Sequence, residues 1–270
     1  MKCSVIVTTY DATRPLDLAL CGISRQSRRP DEVIVADDGS TAETAALLAT
    51  WKESLPLHHV WQIDKGFRKC RIVNAAVRQS TGDHLIFLDG DTIPHRHWVA
   101  DHCAAANGKR VLCGRRVRLG PNVSTSLTRD AVLTGALERL FGPVLRSRVS
   151  GETKRYSLGM RLPQWIARIC HPRARRLMGV NFSLPRTAFE TVNGMDQAEG
   201  IVGREDFDLG ARLERAGFPF YPLLNRAVVY HLYHPERAMD AKTNAWRDAQ
   251  AKSDRVRCEL GLDQPFDPNE

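Results

Sequence analysis

Two aspartates separated by one glycine follow an apolar run in the first half of the chain. Asp89 and Asp91 flank Gly90 directly after the segment "HLIFL". Carboxylates this close destabilise each other unless a cation lies between them. Glycine permits a tight turn that lets both carboxylates face one space, and oxygen ligands suit Mg²⁺ or Mn²⁺, which also bind phosphate. The pattern indicates a divalent-cation site for a phosphate-bearing ligand, although a solvated aspartate pair in a helix-capping loop has the same spacing.

Two more groups with chemical potential stand in the second half. Glu205 and Asp206 begin the predicted helix "EDFDLGARLERAG", where the helix dipole favours carboxylates. One of them could act as a general base, while simple capping gives the same pattern. His231 and His234 in "VVYHLYH" could bind a metal. The sequence offers no further soft ligands near them for a zinc site, and an ordinary polar strand end has the same composition.

The elements that must position these residues alternate between strand and helix. Apolar β-rich runs alternate with segments of helical periodicity over the first 118 residues, which predicts an α/β fold with a mostly parallel central sheet and helices on both faces. "KRVLCGRRVRL" is predicted as one strand and "TRDAVLTGALERLFG" as a helix. Ligands bind outside the carboxyl ends of parallel strands. The polar clusters 8–10, 37–40 and 89–91 should converge there.

Five segments together resemble a known family. They are "SVIVTTYDA", "EVIVADDGST", "DKGFRKCRIVNAA", "TGDHLIFLDGDTIPHRHWV" and "NGMDQAEGIVGREDFDLGARLERAGF". Their order and spacing resemble the family 2 glycosyltransferases of the GT-A fold, in the bacterial surface-polysaccharide branch. Chondroitin-polymerase-like and galactosyltransferase-like members are the most similar. The resemblance implies a single GT-A (Rossmann-like) domain over residues 1–235, with a nucleotide-sugar-binding half (1–118) and an acceptor-binding, catalytic half (119–235). A helical tail (236–270) is expected to pack back on this domain.

The resemblance also implies an activity and its partners. The protein would be a metal-dependent, inverting glycosyltransferase that uses a nucleotide-diphosphate sugar, most simply a UDP-linked one. The acceptor would be a glycan or lipid-linked glycan of lipopolysaccharide, O-antigen or capsule. Asp206 would be the catalytic base, and Glu205 would orient it or bind the acceptor sugar. Asp91, Asp89 and His231 would bind Mn²⁺ or Mg²⁺.

The donor-binding residues implied by the resemblance come from the first half of the chain. Asp38 would accept a hydrogen bond from the base, and Lys65 or Arg68 would assist the phosphates. The full set is Thr8, Tyr10, Asp38, Lys65, Arg68, Arg71, Asn74 and Asp89. In two places the sequence departs from the family pattern. Val73 stands where members usually have arginine, so that Arg71 is the candidate substitute, and residues 200–204 lack the aromatic that often precedes Glu-Asp.

The charge of the chain fits an anionic partner. The formal net charge is +8, and arginines cluster in "CGRRVRLG", "FGPVLRSRVSGETKR" and "HPRARRLMG". No recognition-helix or aromatic-stacking pattern accompanies them, so we expect no nucleic-acid partner. The basic segment 143–176, with Trp165, Ile166 and Ile169, could contact an anionic inner-membrane surface or form a packed loop with a solvated edge.

Seven cysteines without a C-x-x-C pair, together with the absence of a signal peptide or a long apolar run, predict a cytoplasmic protein with reduced thiols.

Two other function classes stay open. A sugar nucleotidyltransferase would need a glycine-rich loop after the first strand, and "TTYDATRPLD" has no glycine. A non-catalytic protein that binds an anionic ligand would keep the acidic cluster, and replacing Asp206 with Asn would then cost no turnover.

Overall fold

Ten strands form two sheets in the computed structural model, which describes residues 1–139, 142–173, 177–198, 204–235, 246, 250 and 253–270. In chain order the strands are β1 (Cys3–Thr9), β2 (Glu32–Asp37), β3 (Leu57–Trp61), β4 (His84–Asp89), β5 (Thr92–Pro94), β6 (Val111–Cys113), β7 (Arg116–Arg118), β8 (Asn181–Pro185), β9 (Phe220–Pro222) and β10 (Val229–His231).

The large sheet has the strand order β3-β2-β1-β4-β8-β6-β9, and the small sheet has the order β5-β10-β7. In the large sheet β1, β2, β3 and β4 run parallel to one another, and β6 runs parallel to β9. Strand β8 lies antiparallel between β4 and β6. The prediction of a mostly parallel central sheet is therefore confirmed.

Helices cover both faces of the large sheet. They are α1 (Thr13–Ser24), α2 (Ala42–Trp51), α3 (Lys69–Gln79), α4 (Trp98–Ala105), α5 (Pro121–Ser126), α6 (Arg129–Leu133), α7 (Pro143–Val149), α8 (Gln164–Cys170), α9 (Arg186–Thr191) and α10 (Glu205–Arg215). Successive residues of a strand point to opposite faces. Val5 and Val7 of β1 accordingly pack in a cluster with α1, α2 and α4, while Ile6 packs in a second cluster with α3, α9 and α10. Apolar residues on both faces explain the continuous apolar runs of the sequence.

Two expected elements are shorter than the sequence indicated. The strand predicted in "KRVLCGRRVRL" is split into β6 and β7, which belong to different sheets. The strand is interrupted at Gly114, where a Cβ atom would lie 2.2 Å from the side-chain amide nitrogen of Asn181. The helix predicted in "TRDAVLTGALERLFG" ends as α6 at Leu133, because Gly135 has a φ of 74° and begins a 3₁₀ turn.

The C-terminal segment differs from the predicted helical tail. Most of residues 236–252, like residues 199–203 of the family motif, lie outside the described residues. Residues 253–270 form turns and irregular backbone, so the helix predicted over this part is wrong. Pro265 and Pro268 remove backbone donors that a helix would need. The segment packs back on the domain as expected, with Leu262 and Phe266 against the core.

All seven cysteines are free thiols, and each except Cys170 is buried. Among the described residues, no helix combines the length and the apolar character that crossing a bilayer requires.

Candidate active site at the carboxyl ends of the strands

A cavity of about 450 Å³ opens where β1, β2 and β4 end. This volume is in the range of small-ligand sites. The three predicted polar clusters converge here, as the rule for parallel strands requires. The lining residues are Thr8, Thr9, Tyr10, Ala12, Ala36, Asp38, Gly66, Phe67, Lys69, Ile72, Asp89, Gly90 and Asp91.

Asp38 forms one wall of the cavity and is held by two donors. Its Oδ1 accepts a hydrogen bond from Gln62 Nε2 at 2.5 Å, and its Oδ2 accepts one from the Arg68 backbone N–H at 2.9 Å. Burial raises the pKa of Asp38, and the two donors oppose this shift by stabilising the carboxylate. The remaining lone pairs can accept hydrogen bonds from a ligand in the cavity.

Asp89 lies across the cavity beside β1. The register of β1 and β4 pairs it with Thr8, whose hydroxyl donates to Asp89 Oδ1 at 3.0 Å. Gly90 follows, and a Cβ there would lie 2.8 Å from the Thr8 carbonyl oxygen. A larger residue would therefore push the turn away from β1.

Lys69 is a site residue that sequence reasoning missed. Its Nζ donates to Asp89 Oδ1 at 2.7 Å. Burial alone would lower the pKa of Lys69, but the charges of Asp89, Glu205 and Asp206 outweigh it and raise the pKa. The sequence feature that could have identified Lys69 is its position as the first residue of α3, one turn before Ile72, which also lines the cavity.

Asp91 joins two histidines in a cluster that could hold a metal ion. The Nε2 atoms of His231 and His234 each lie 3.3 Å from Asp91 Oδ2, and one ligand atom from each of the three residues lies within 4.8 Å of the others. The Leu232 N–H donates to the Asp91 carbonyl at 3.0 Å, which fixes the end of β10 beside Asp91. Burial raises the pKa of Asp91, but the two histidines outweigh it, and the net shift is downward.

The donor atoms of this cluster fit a transition-metal ion. His234 Nδ1 lies 2.9 Å from the Pro235 carbonyl, so Nδ1 carries a proton and Nε2 is the nitrogen that could bind a metal ion. One carboxylate and two imidazoles suit Mn²⁺ better than Mg²⁺, which prefers oxygen ligands. Sequence reasoning assigned His231 to the metal and left His234 out. Asp89, which was also assigned to the metal, accepts hydrogen bonds from Thr8 and Lys69 at its Oδ1.

Asp206 faces a second cavity of about 310 Å³. Its Oδ2 accepts a hydrogen bond from the Gly179 N–H at 3.1 Å. A Cβ placed on Gly179 would lie 3.8 Å from Asp206 Oδ2 and 3.9 Å from Lys69 Nζ. Gly179 therefore lies where the acidic start of α10 meets the first cavity. Glu205 precedes Asp206 and is buried.

Five predicted donor-binding residues lie at the edge of the cavity or behind its wall. Tyr10 lines the cavity, and its hydroxyl donates to Asp64 at 3.0 Å. Lys65 is exposed beside the cavity. The Arg68 guanidinium donates to the Ile63 and Glu270 carbonyls. Arg71 and Asn74 point away. Arg71 donates to the Gln62 side chain and the Asp267 carbonyl, and buried Asn74 exchanges two hydrogen bonds with the Met195 backbone.

Comparisons with known proteins match nearly the whole chain. Residues 4–175 match the family model described as Glycosyl transferase family 2, and residues 168–235 match the N-terminal domain of galactosyltransferase. A chondroitin synthase from Pasteurella multocida (strain Pm70) is 25% identical over 259 residues, which are 92% of this chain and 26% of the synthase. The chain thus spans about a quarter of that relative's length.

Two solved structures have a similar fold. S. aureus TarS 1-349, in complex with UDP, has a TM-score of 0.63 at 15% identity, covering 97% of this chain and 68% of that chain. The mannosyltransferase PcManGT from Pyrobaculum calidifontis, in complex with GDP-Man and Mn²⁺, has a TM-score of 0.56 at 20% identity, covering 93% and 61%.

Proposed function

Because the chain belongs to glycosyl transferase family 2, we propose that it transfers a sugar from a nucleotide-diphosphate donor to a glycan acceptor with inversion at the anomeric carbon. Its fold is the GT-A fold that the sequence predicted. One observation carries the proposal. Lys69 Nζ donates to Asp89 in the first cavity and lies near the Glu205–Asp206 pair at the start of α10, which supports a phosphate-binding group beside a proton-accepting group.

The proposed donor is a UDP-linked sugar. Asp38 accepts from the base, Thr8 and Asp89 contact the ribose, and Lys69 binds the diphosphate. The solved structure of TarS with UDP supports this choice through its similar fold. Lys69 takes the phosphate role that the sequence assigned to Lys65 or Arg68, because its Nζ already lies inside the cavity.

The proposed metal is Mn²⁺, bound by Asp91, His231 and His234. A bound divalent ion offsets the negative charge that builds on the leaving diphosphate. The mixed carboxylate and imidazole donor set supports this assignment. The similar fold of PcManGT, a structure described with GDP-Man and Mn²⁺, is consistent with it.

Asp206 is the proposed catalytic base. It takes the proton from the acceptor hydroxyl as the oxygen attacks the anomeric carbon. The bond from that carbon to the diphosphate oxygen breaks on the opposite side, and the nucleoside diphosphate leaves. The N–H of Gly179 holds Asp206 Oδ2, so the carboxylate has a fixed orientation. Glu205 orients the base or binds the acceptor sugar.

The proposed acceptor is a glycan or lipid-linked glycan of a bacterial surface polysaccharide, and the proposed setting is the cytoplasmic face of an anionic membrane. Helix α8 supports the membrane contact. Trp165 and Ile169, one turn apart, are 67% and 73% exposed, and Arg168 beside them is also exposed. Exposed aromatic and aliphatic side chains next to arginine are typical of segments that bind anionic membrane surfaces.

Calorimetric titration with UDP, GDP and dTDP, with and without Mn²⁺, tests the proposal. We expect micromolar, Mn²⁺-dependent binding of one nucleotide, abolished by Asp91→Ala. Asp130→Ala is the control, because Asp130 is an exposed aspartate on α6. If the wild-type protein binds no nucleotide in either condition, the proposed function is wrong.

A further inference from the structure

Gln62 lies behind the donor cavity with every side-chain hydrogen-bonding group engaged. It is fully buried. Its Nε2 donates to Asp38 Oδ1 at 2.5 Å and approaches the Arg68 carbonyl at 3.4 Å, while its Oε1 accepts from Arg71 Nη1 at 2.9 Å. Arg71 can only donate. It therefore fixes which end of the Gln62 amide faces the carboxylate.

Arg71 is held in turn by the C-terminal strap, which we define as residues 262–268. Its Nη2 donates to the Asp267 carbonyl at 2.7 Å, and its guanidinium carbon lies 4.8 Å from the centre of the Phe266 ring. The strap is also joined to the end of β3, where the Ile63 N–H donates to the Pro268 carbonyl at 2.8 Å. A continuous set of hydrogen bonds thus runs from the strap through Arg71 and Gln62 to Asp38.

We propose that Arg71 and Gln62 are positioning residues that hold Asp38 in the orientation needed to bind the nucleotide base, with the C-terminal strap as their anchor. The inference rests on the proposed function, because it assumes that the cavity binds a nucleoside diphosphate. Without the Gln62 donor, Asp38 Oδ1 would lose its buried partner, and the carboxylate would no longer be held in one orientation. The effect concerns the base alone, since Asp89 and Lys69 on the other side of the cavity are outside this set.

Helix α3 supplies a matched control. Arg78 lies about two turns beyond Arg71 and contacts the same strap. It donates to the Leu262 carbonyl at 2.9 Å and to the Gln264 carbonyl, and its guanidinium carbon lies 5.9 Å from the Phe266 ring centre. It forms no hydrogen bond with Gln62. Arg78→Met therefore loosens the strap to a similar extent but leaves the hydrogen bonds to Asp38 in place.

The test compares two probes that differ in the base. The first is whichever of UDP, GDP and dTDP the wild-type chain binds most tightly with Mn²⁺, and the second is pyrophosphate with Mn²⁺. We expect Arg71→Met to weaken nucleotide binding about tenfold, the effect of losing a hydrogen bond to a charged group, with pyrophosphate binding unchanged. Gln62→Met should have the same selective effect, and Arg78→Met should leave both affinities unchanged.

Three results from the variants overturn the inference. Arg71→Met and Arg78→Met could weaken nucleotide binding equally, which would mean that the strap only packs. Arg71→Met could weaken pyrophosphate binding as much as nucleotide binding, which would indicate general disorder of the cavity. Residues that act through one group should not have additive effects, so Arg71→Met should cause no further loss of nucleotide binding in an Asp38→Asn background. A further loss in that background would mean that Arg71 does not act through Asp38. If the wild-type chain binds pyrophosphate but no nucleotide, the proposed function fails, and the inference fails with it.

Discussion

Replacing Lys69 with methionine should damage donor binding more than any other change of a single cation at the site. Met keeps the length and the apolar stem of the side chain but removes its charge. The Lys69 and Asp89 side chains are 18% and 25% exposed, and the pair is separated by 2.7 Å. A hydrogen bond between charged groups in such surroundings contributes about 1.5–3 kcal/mol. A bound diphosphate adds negative charge beside Asp89, so removing the charge of Lys69 should destabilise the nucleotide-bound protein more than the free protein.

This energy corresponds to a roughly 10- to 100-fold weaker affinity for a nucleoside diphosphate. Calorimetry with the nucleotide that the wild-type protein binds, at a saturating Mn²⁺ concentration, measures it directly. Lys65→Met is the matched control, because Lys65 is exposed and lies outside the cavity lining. The reasoning would be refuted if Lys69→Met bound nucleotide within twofold of wild type, or if Lys65→Met lost as much affinity.

Three further predictions concern the metal, the base and the response to pH. His234→Gln should weaken Mn²⁺ binding about tenfold or more in the presence of nucleotide, as measured by calorimetry, and an unchanged affinity would exclude His234 as a ligand. Asp206→Asn should lower kcat by about 10²- to 10⁴-fold without changing the nucleotide Kd. Nucleoside diphosphate release would measure the rate, and unchanged turnover would indicate a non-catalytic protein. Burial lowers the pKa of His84 to about 4 and that of His102 to about 3, so below pH 6.5 the unfolded chain binds protons that the folded chain does not. Stability should therefore fall from pH 6.5 to pH 5 by about 3 kcal/mol from these two groups, in addition to any contribution from carboxylates. Urea unfolding should show a smaller fall in the free energy of unfolding for His84→Gln than for wild type. An equal fall would contradict the assignment of this pH dependence to His84.

The sequence correctly predicted that several residues would line one cavity. Their positions follow from a local rule, that polar residues directly after parallel strands meet at one edge of the sheet. Thr8, Asp38, Asp89 and Asp91 each lie at or just beyond the carboxyl end of a strand, and parallel neighbours bring those ends to one edge. An apolar run and the polar residue that ends it are visible in a short window of sequence. The convergence therefore needed no knowledge of strand order.

The residues that were misplaced depend on contacts far apart in the chain. Asn74 bonds to Met195, which is 121 positions away, and Arg71 bonds to Asp267, which is 196 positions away. The sequence of α3 gives helical periodicity and a set of polar residues. It does not say which of them meet the cavity and which meet a segment that returns from the other end of the chain. Lys69 was overlooked for the same reason, since its neighbours Lys65 and Arg68 have the same charge.

The meeting of the two halves at Gly179 follows from one feature of the topology. Because β8 is antiparallel to β4, its first residue, Asn181, pairs with Leu88 near the carboxyl end of β4. The residues that precede β8 must therefore lie at the edge where β4 ends, and Gly179 is among them. Its N–H then holds Asp206 at the start of α10, close to Lys69. A parallel β8 would have placed this turn at the opposite edge of the sheet, with Asp206 far from the cavity that Lys69 lines. Hydrophobic periodicity is the same for a buried strand in either direction, so the sequence predicts that β8 exists without fixing the direction that brings Asp206 to the cavity.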